Sequence, residues 1–286
     1  SYILEACPIP PSAEARLVAL QSGMGTGKTK AIAAALQRHR KDKRPTVVVT
    51  HRRSLGATLA TQFDLDWNKT SEEDSSKTLL NDPQLHQKHQ KGMVLCTDSL
   101  SPRSGMRFDA RAWHGAVVVI DEVVQVLQHT LMAQGTAVAD RRPEVIRQLS
   151  DLLRHADQVI VADAQLSEPV LHCLETVMEC RALLIDSKHK PAAGRELVAH
   201  HDKGSWRCEL VKHLEQRKRV WVSTTSQKAI SPNSAQNLAL MAREIWPEAR
   251  VLVVDSQTVA EPGHPASRLG AEPQDVLSNV DVVIAS

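Results

Sequence analysis

Eight residues, Ser22-Gly23-Met24-Gly25-Thr26-Gly27-Lys28-Thr29, constrain this chain more than any others. They follow an apolar run, Arg16–Leu20, and open an alanine-rich stretch, Lys28–Arg40. An apolar strand, a glycine-rich turn and a strong helix former in that order is a phosphate-binding loop in its expected setting. Gly23, Gly25 and Gly27 let the backbone curl so that successive N–H groups face an anion, and the following helix adds its positive end. The Lys28 ammonium is placed to reach the β- and γ-phosphates of ATP, and the Thr29 hydroxyl to take one position on Mg2+. Ser22 stands where the general form of the loop has glycine, a change that leaves this physics intact.

The second half of such a site is a buried strand that ends on acids. Val117-Val118-Val119-Ile120 is followed by Asp121-Glu122. The carboxyl end of a parallel strand is the edge where open α/β sheets bind ligands. Asp121 is therefore the candidate Mg2+ ligand. Glu122 is the candidate to orient and activate the attacking water, since phosphoryl transfer depends on positioning and charge stabilisation.

Around these motifs, short β-branched runs alternate with helix-patterned stretches, which predicts a parallel sheet covered on both faces. Strands are expected at Arg16–Leu20, Thr46–Thr50, Met93–Cys96, Val117–Ile120, Val159–Val161 and Ala182–Ile185. Helices are expected at Lys28–Arg40, Leu55–Gln62, Pro143–His155 and Pro169–Cys180. The polar stretch Asn68–Lys91 reads as a surface insertion. A break rich in Lys, Pro and Gly predicts a first domain over 1–190, a linker over 191–204 and a second, partial domain over 205–286. In the latter, strands are expected at Arg219–Ser223, Val251–Asp255 and Val280–Ala285, with a helix at Ala235–Ile245. The opening Ser1 and the end on a strand predict a piece of a longer protein.

Composition excludes little but sharpens the picture. Aromatic residues make up 3% of the chain, so its cores must be aliphatic. No run approaches the roughly 18 apolar residues that span a bilayer, so no membrane partner is expected. The formal charge of +2 leaves the partner undecided. Local basic clusters at 39–44, 51–53 and 217–219 carry that question instead. Five scattered cysteines without a CxxC pair point to free thiols in a reducing cytoplasm. His86 with His89, and His200-His201, lack a completing ligand set, and no metal is expected there.

Taken together, the motifs resemble superfamily 2 helicases and translocases, which carry two RecA-like domains. The loop form Ser-x-x-Gly-x-Gly-Lys-Thr is typical of that superfamily. Further stretches fall in its order: Val47 to Leu55 after the second strand, Cys96 to Leu100, Val161 to Leu166 and Val220 to Ser226. The combination is closest to the herpesvirus origin-binding helicase and to replication proteins of cyanobacterial plasmids. The resemblance implies tandem RecA-like P-loop domains with parallel sheets, the second incomplete, ATP on the first and closure by the second. It also implies a coupling motif at Asp163 and Gln165. An arginine finger is implied beyond Ser286.

The same resemblance implies a nucleic acid held across the sheet by phosphate contacts. Thr50, Arg52, Arg53, Thr97 and Ser99 follow strand ends and are the candidate contacts, being residue types that need no base identity. The alternative is that Thr50 and Ser54 cap a helix and the arginines are solvated. Trp113 and Trp221 read as core in preference to base-stacking residues. The expected function is ATP-dependent translocation on, or unwinding of, single-stranded or forked DNA during replication of a plasmid, phage or virus-like element. Other replication proteins are possible partners. The location would be cytoplasmic, or nuclear for a eukaryotic virus. Two alternatives stay open: another P-loop ATPase such as a packaging motor or small-molecule kinase, and a non-catalytic, ATP-regulated DNA-binding module.

Overall fold

In a computed structural model, residues 8–67, 92–190, 193–226, 230–270 and 272–286 are described. The expected insertion Asn68–Lys91, with His86 and His89, lies outside them. The chain forms two compact units, 1–194 and 195–286.

The first unit is built on seven strands: β1 (Leu17–Gln21), β2 (Thr46–Thr50), β3 (Asp66–Trp67), β4 (Gly92–Cys96), β5 (Val117–Asp121), β6 (Gln158–Asp163) and β7 (Ala182–Asp186). Their order is β3-β4-β2-β5-β6-β1-β7, and every pairing is parallel. Strands buried on both faces need no polar alternation, and β2 (Thr-Val-Val-Val-Thr) is buried at all five positions. Its pleat still sorts side chains: Val47 and Val49 join the core on one face, Val48 the core on the other. Burying each such valine or leucine contributes about 1.5–3 kcal/mol before ordering entropy is subtracted. β4 starts at Gly92, one residue before its expected start, where a Cβ would lie 2.1 Å from the Thr46 carbonyl oxygen.

Among the described residues, five helices flank the sheet: α1 (Lys28–Lys41), α2 (Arg53–Phe63), α3 (Val123–Met132), α4 (Ala137–Arg154) and α5 (Glu168–Met178). Two differ from expectation. α3 follows Asp121-Glu122 directly, and its β-branched valines concealed it in the sequence. α4 begins well before Pro143, because Thr136 caps it by accepting from the Ala139 N–H, and it breaks at Arg141 just ahead of the proline.

The second unit pairs β8 (Val220–Ser223), β9 (Val251–Val254) and β10 (Val282–Ala285) in the parallel order β8-β10-β9. Helix α6 (Lys203–Glu215) starts inside the stretch read as a linker, where Asp202 accepts from the N–H groups of Gly204 and Ser205. α7 (Ala235–Ile245) packs its Leu238, Ala239 and Ala242 into an aliphatic core with Val222 and Ile284. Trp113 is buried as expected, but Trp221 is 53% exposed, which corrects its reading as core.

Candidate nucleotide site

Because all seven strands of the first unit run parallel, the residues after β1, β2, β4, β5 and β6 emerge at one edge of the sheet. Every sequence-predicted site residue lies in those segments or is the last residue of the strand that leads into one.

The phosphate loop is shaped from within. Gly25 and Gly27 adopt φ of 74° and 90°, the left-handed region that glycine reaches without strain. The Ser22 hydroxyl lies 2.5 Å from the Thr26 hydroxyl, which in turn donates to the Gly23 carbonyl at 2.8 Å. Ser22 thus supplies a closing contact that glycine lacks. Lys28, the first residue of α1, turns its ammonium back onto its own loop and donates to the carbonyls of Ser22 (2.6 Å) and Gly23 (2.9 Å). Burial lowers its pKa, while the carboxylates of Asp121, Asp163 and Glu122 pull it back up. Thr29 is half-buried at the next position, and Met24 at the loop tip is exposed.

Asp121 closes β5. Burial, then the neighbouring Glu122 charge, raise its carboxyl pKa. Its one side-chain hydrogen bond among the described residues is from the Glu122 N–H, at 3.2 Å. A half-buried carboxylate with no ion pair among the described residues, beside a lysine whose hydrogen bonds among them go to carbonyls, is the donor set that a nucleotide with a divalent cation would satisfy. Glu122 takes left-handed backbone angles (φ 54°, ψ 52°) and is the residue on which α3 begins.

Asp163 ties these parts together. Its backbone carbonyl accepts from the Ser22 N–H at 3.2 Å, joining β6 to the phosphate loop. Its carboxylate accepts from the Val124 N–H at 3.0 Å, just past the acidic pair, and from the Gln165 N–H at 2.9 Å. Gln165 itself is exposed, and its contribution here is through the backbone.

The five candidate nucleic-acid contacts divide sharply. Arg52 and Arg53 are exposed at the start of α2, whereas Thr50, Thr97 and Ser99 are buried. The Thr50 hydroxyl accepts weakly from the Arg52 N–H at 3.4 Å, and the Thr97 hydroxyl has no hydrogen-bond partner among the described residues. The N-cap of α2 is Arg52 and not Thr50, and the Ser54 side chain lies outside the described residues. In this state the arginines, and not the hydroxyls, are what a passing strand would meet.

His51 was missed by sequence reasoning except as part of a basic cluster. It stands between Thr50 and Arg52, with its side chain only 9% exposed and its Nδ1 3.9 Å from Glu122 Oε2. Burial, then Arg52, lower its pKa. The one His/Asp group of metal-binding size among the described residues is His114, Asp151 and His155, at the opposite end of the sheet. Asp151 already contacts both imidazoles, at 3.3 and 3.0 Å. The rings stack 4.1 Å apart and 17° from parallel, so no ion can lie in both ring planes without their rotation. Cys96 is free and buried, its thiol pushed up to about 11 by burial and thereby kept inert.

Comparison with known proteins extends the picture. Residues 11–151 match the family described as Type III restriction enzyme, res subunit. An uncharacterized protein of Picosynechococcus sp. is 31% identical over 284 residues, covering 96% of this chain. The chain spans only 27% of that relative's length. Among solved structures, the DUF1998 helicase MrfA bound to DNA and AMPPNP is similar over 96% of this chain and 40% of its own, with TM-score 0.57 and 13% identity. Dbp5 of S. cerevisiae bound to RNA and ADP BeF3 is similar over 99% and 72%, with TM-score 0.52 and 16% identity. No described helix is long and apolar enough to cross a membrane. Strand order and these structural neighbours agree on the fold: the chain has a parallel α/β, RecA-like architecture of the kind these two proteins share.

Proposed function

We propose that this chain binds ATP with Mg2+, hydrolyses it, and couples the cycle to movement along single-stranded or forked DNA, in the replication of a plasmid, phage or virus-like element. The reading rests above all on Asp163, whose carbonyl holds the phosphate loop and whose carboxylate holds the turn after the acidic pair. A residue bonded to both halves of a nucleotide site is suited to sense whether a γ-phosphate lies between them. In this scheme Lys28 exchanges the Ser22 and Gly23 carbonyls for phosphate oxygens. Thr29 and Asp121 hold Mg2+, which supplies neutralising charge to the phosphates. Glu122 orients the attacking water and accepts its proton. Arg52 and Arg53 supply phosphate contacts on the nucleic-acid strand. The binding of DNA by the structurally similar MrfA supports a nucleic-acid partner.

The test is ATP turnover by the purified protein with and without single-stranded DNA, for wild type and Glu122→Gln. The expected result is DNA-stimulated turnover in wild type. The variant should bind ATP normally but turn over about 10²–10⁴-fold more slowly, because a proton acceptor is gone. Wild-type turnover by the variant would remove Glu122 from the role.

A further inference from the structure

His51 joins two parts of the site that the proposed function leaves separate. β2 and β5 pair in parallel register, ending at Val49 opposite Ile120. Two residues further along each chain stand His51 and Glu122, and their side chains meet there: Nδ1 lies 3.9 Å from Oε2. The imidazole is buried, and neither ring nitrogen makes a well-formed hydrogen bond among the described residues, the Gln125 side chain approaching the ring without completing one. An imidazole carries at least one N–H in either protonation state. Leaving such a donor unpaired in a buried place is unfavourable, and native folds rarely tolerate it. Here the nearest carboxylate is about one ångström outside bonding range, and it belongs to the residue assigned to water activation. Gln125, and His129 paired with Asp98 at 3.3 Å, complete the surroundings of the ring. On its other side the chain continues at once into the exposed Arg52 and Arg53.

We propose that His51 is a positioning residue that couples nucleic-acid contact to ATP hydrolysis, by making and breaking a hydrogen bond from its ring N–H to the Glu122 carboxylate. With the bond made, the carboxylate is held at one orientation; with it broken, as in the present structure, Glu122 is free to turn. A phosphate engaging Arg52 pulls on the backbone next to His51, and a shift of about one ångström decides whether the bond exists. The inference rests on the role proposed for Glu122.

The experiment measures ATP turnover with and without single-stranded DNA for wild type, His51→Phe, His51→Gln and Glu122→Gln, with melting temperatures for each. Phe fills the ring's space without a donor, and Gln restores an N–H. The expected result is that His51→Phe lowers the ratio of stimulated to unstimulated kcat about tenfold, equivalent to about 1.4 kcal/mol in the stimulated barrier. The KM for ATP and the melting temperature should stay near wild type, and His51→Gln should recover most of the ratio. A wild-type ratio in His51→Phe overturns the inference, as does an equal loss in both rates. Should His51→Phe fail to fold, His51→Gln against His51→Leu decides on the same ratio. Normal turnover by Glu122→Gln would instead defeat the proposed function, whereas an inactive Glu122→Gln beside an unaffected His51→Phe would defeat this inference alone.

Discussion

The two ends of the seven-stranded sheet are made of similar residues put to opposite use. At the amino end, the buried Gln158 side chain donates to the carbonyls of Pro10 (3.0 Å) and Ala15 (2.8 Å) and meets His39 Nε2 at 2.8 Å. Arg44 pairs with Asp157, and Arg16 donates to the Arg154 carbonyl. At the carboxyl end, among the described residues, Lys28 donates only to its own loop, Asp121 lacks an ion pair, and the His51 ring nitrogens make no well-formed hydrogen bond. The Gln158 cluster is satisfied by the fold, although the buried Thr46 hydroxyl at the same end has no hydrogen-bond partner among the described residues; at the second end the ionisable groups themselves are the ones left for something else to satisfy.

Breaking the carboxyl end should therefore affect binding and spare folding. Lys28→Ala should abolish detectable ATP hydrolysis and weaken ATP affinity by at least about a hundredfold, the scale of losing a charge-assisted, buried contact. Its melting temperature should match wild type or exceed it, since a half-buried ammonium is removed. Nucleotide titration alongside thermal melting checks both, and unchanged ATP affinity would sink the assignment of this edge.

Breaking the amino end should do the reverse. Gln158→Leu strands two carbonyls and a histidine, for a loss of about 2–4 kcal/mol of stability with ATP affinity unaltered. Denaturant unfolding measures the loss. The same cluster carries a pH signature. Burial holds the His39 pKa below its ordinary 6.5, so below that pH the unfolded chain binds the extra proton more readily. Stability contributed by this site is present above pH 6.5 and falls as pH drops through that value. A melting temperature of the protein that is flat across this range would argue against a buried, neutral His39.

The smallest effect sharpens the comparison at its rim. Arg52→Ala with Arg53→Ala should weaken single-stranded DNA binding several-fold per lost contact and flatten its salt dependence, because fewer counterions are released. Two unrelated oligonucleotides should lose affinity alike, as phosphates carry no sequence. A loss confined to one of them would mean that these arginines read bases.

Much of the fold could be read from the chain, for reasons visible in particular elements. β2 and α7 were anticipated to the residue. β2 is an uninterrupted β-branched run, and α7 is an amphipathic segment behind a Ser234 cap. α3 was not, because Val-Val-Gln-Val reads as strand and only packing of Val123 and Val126 against the sheet makes it helix. The phosphate loop and acidic pair can be proposed from the sequence because their patterns are local, and the structure sets both at one edge of the sheet. The approach of His51 to Glu122, just past the neighbouring strand β5, cannot be, since it joins residues far apart in sequence, and burial of Thr50, Thr97 and Ser99 depends on contacts no local pattern records.

One feature of the acidic pair bears on how such a protein evolves. Glu122 sits at φ 54°, where a non-glycine residue costs roughly 1 kcal/mol. Replacing it by glycine would relieve that strain and remove the group proposed to activate water. A library ranked by heat resistance alone would thus reward the loss of turnover at this position. On the role proposed for Glu122, turnover and backbone ease are set against each other at this one residue.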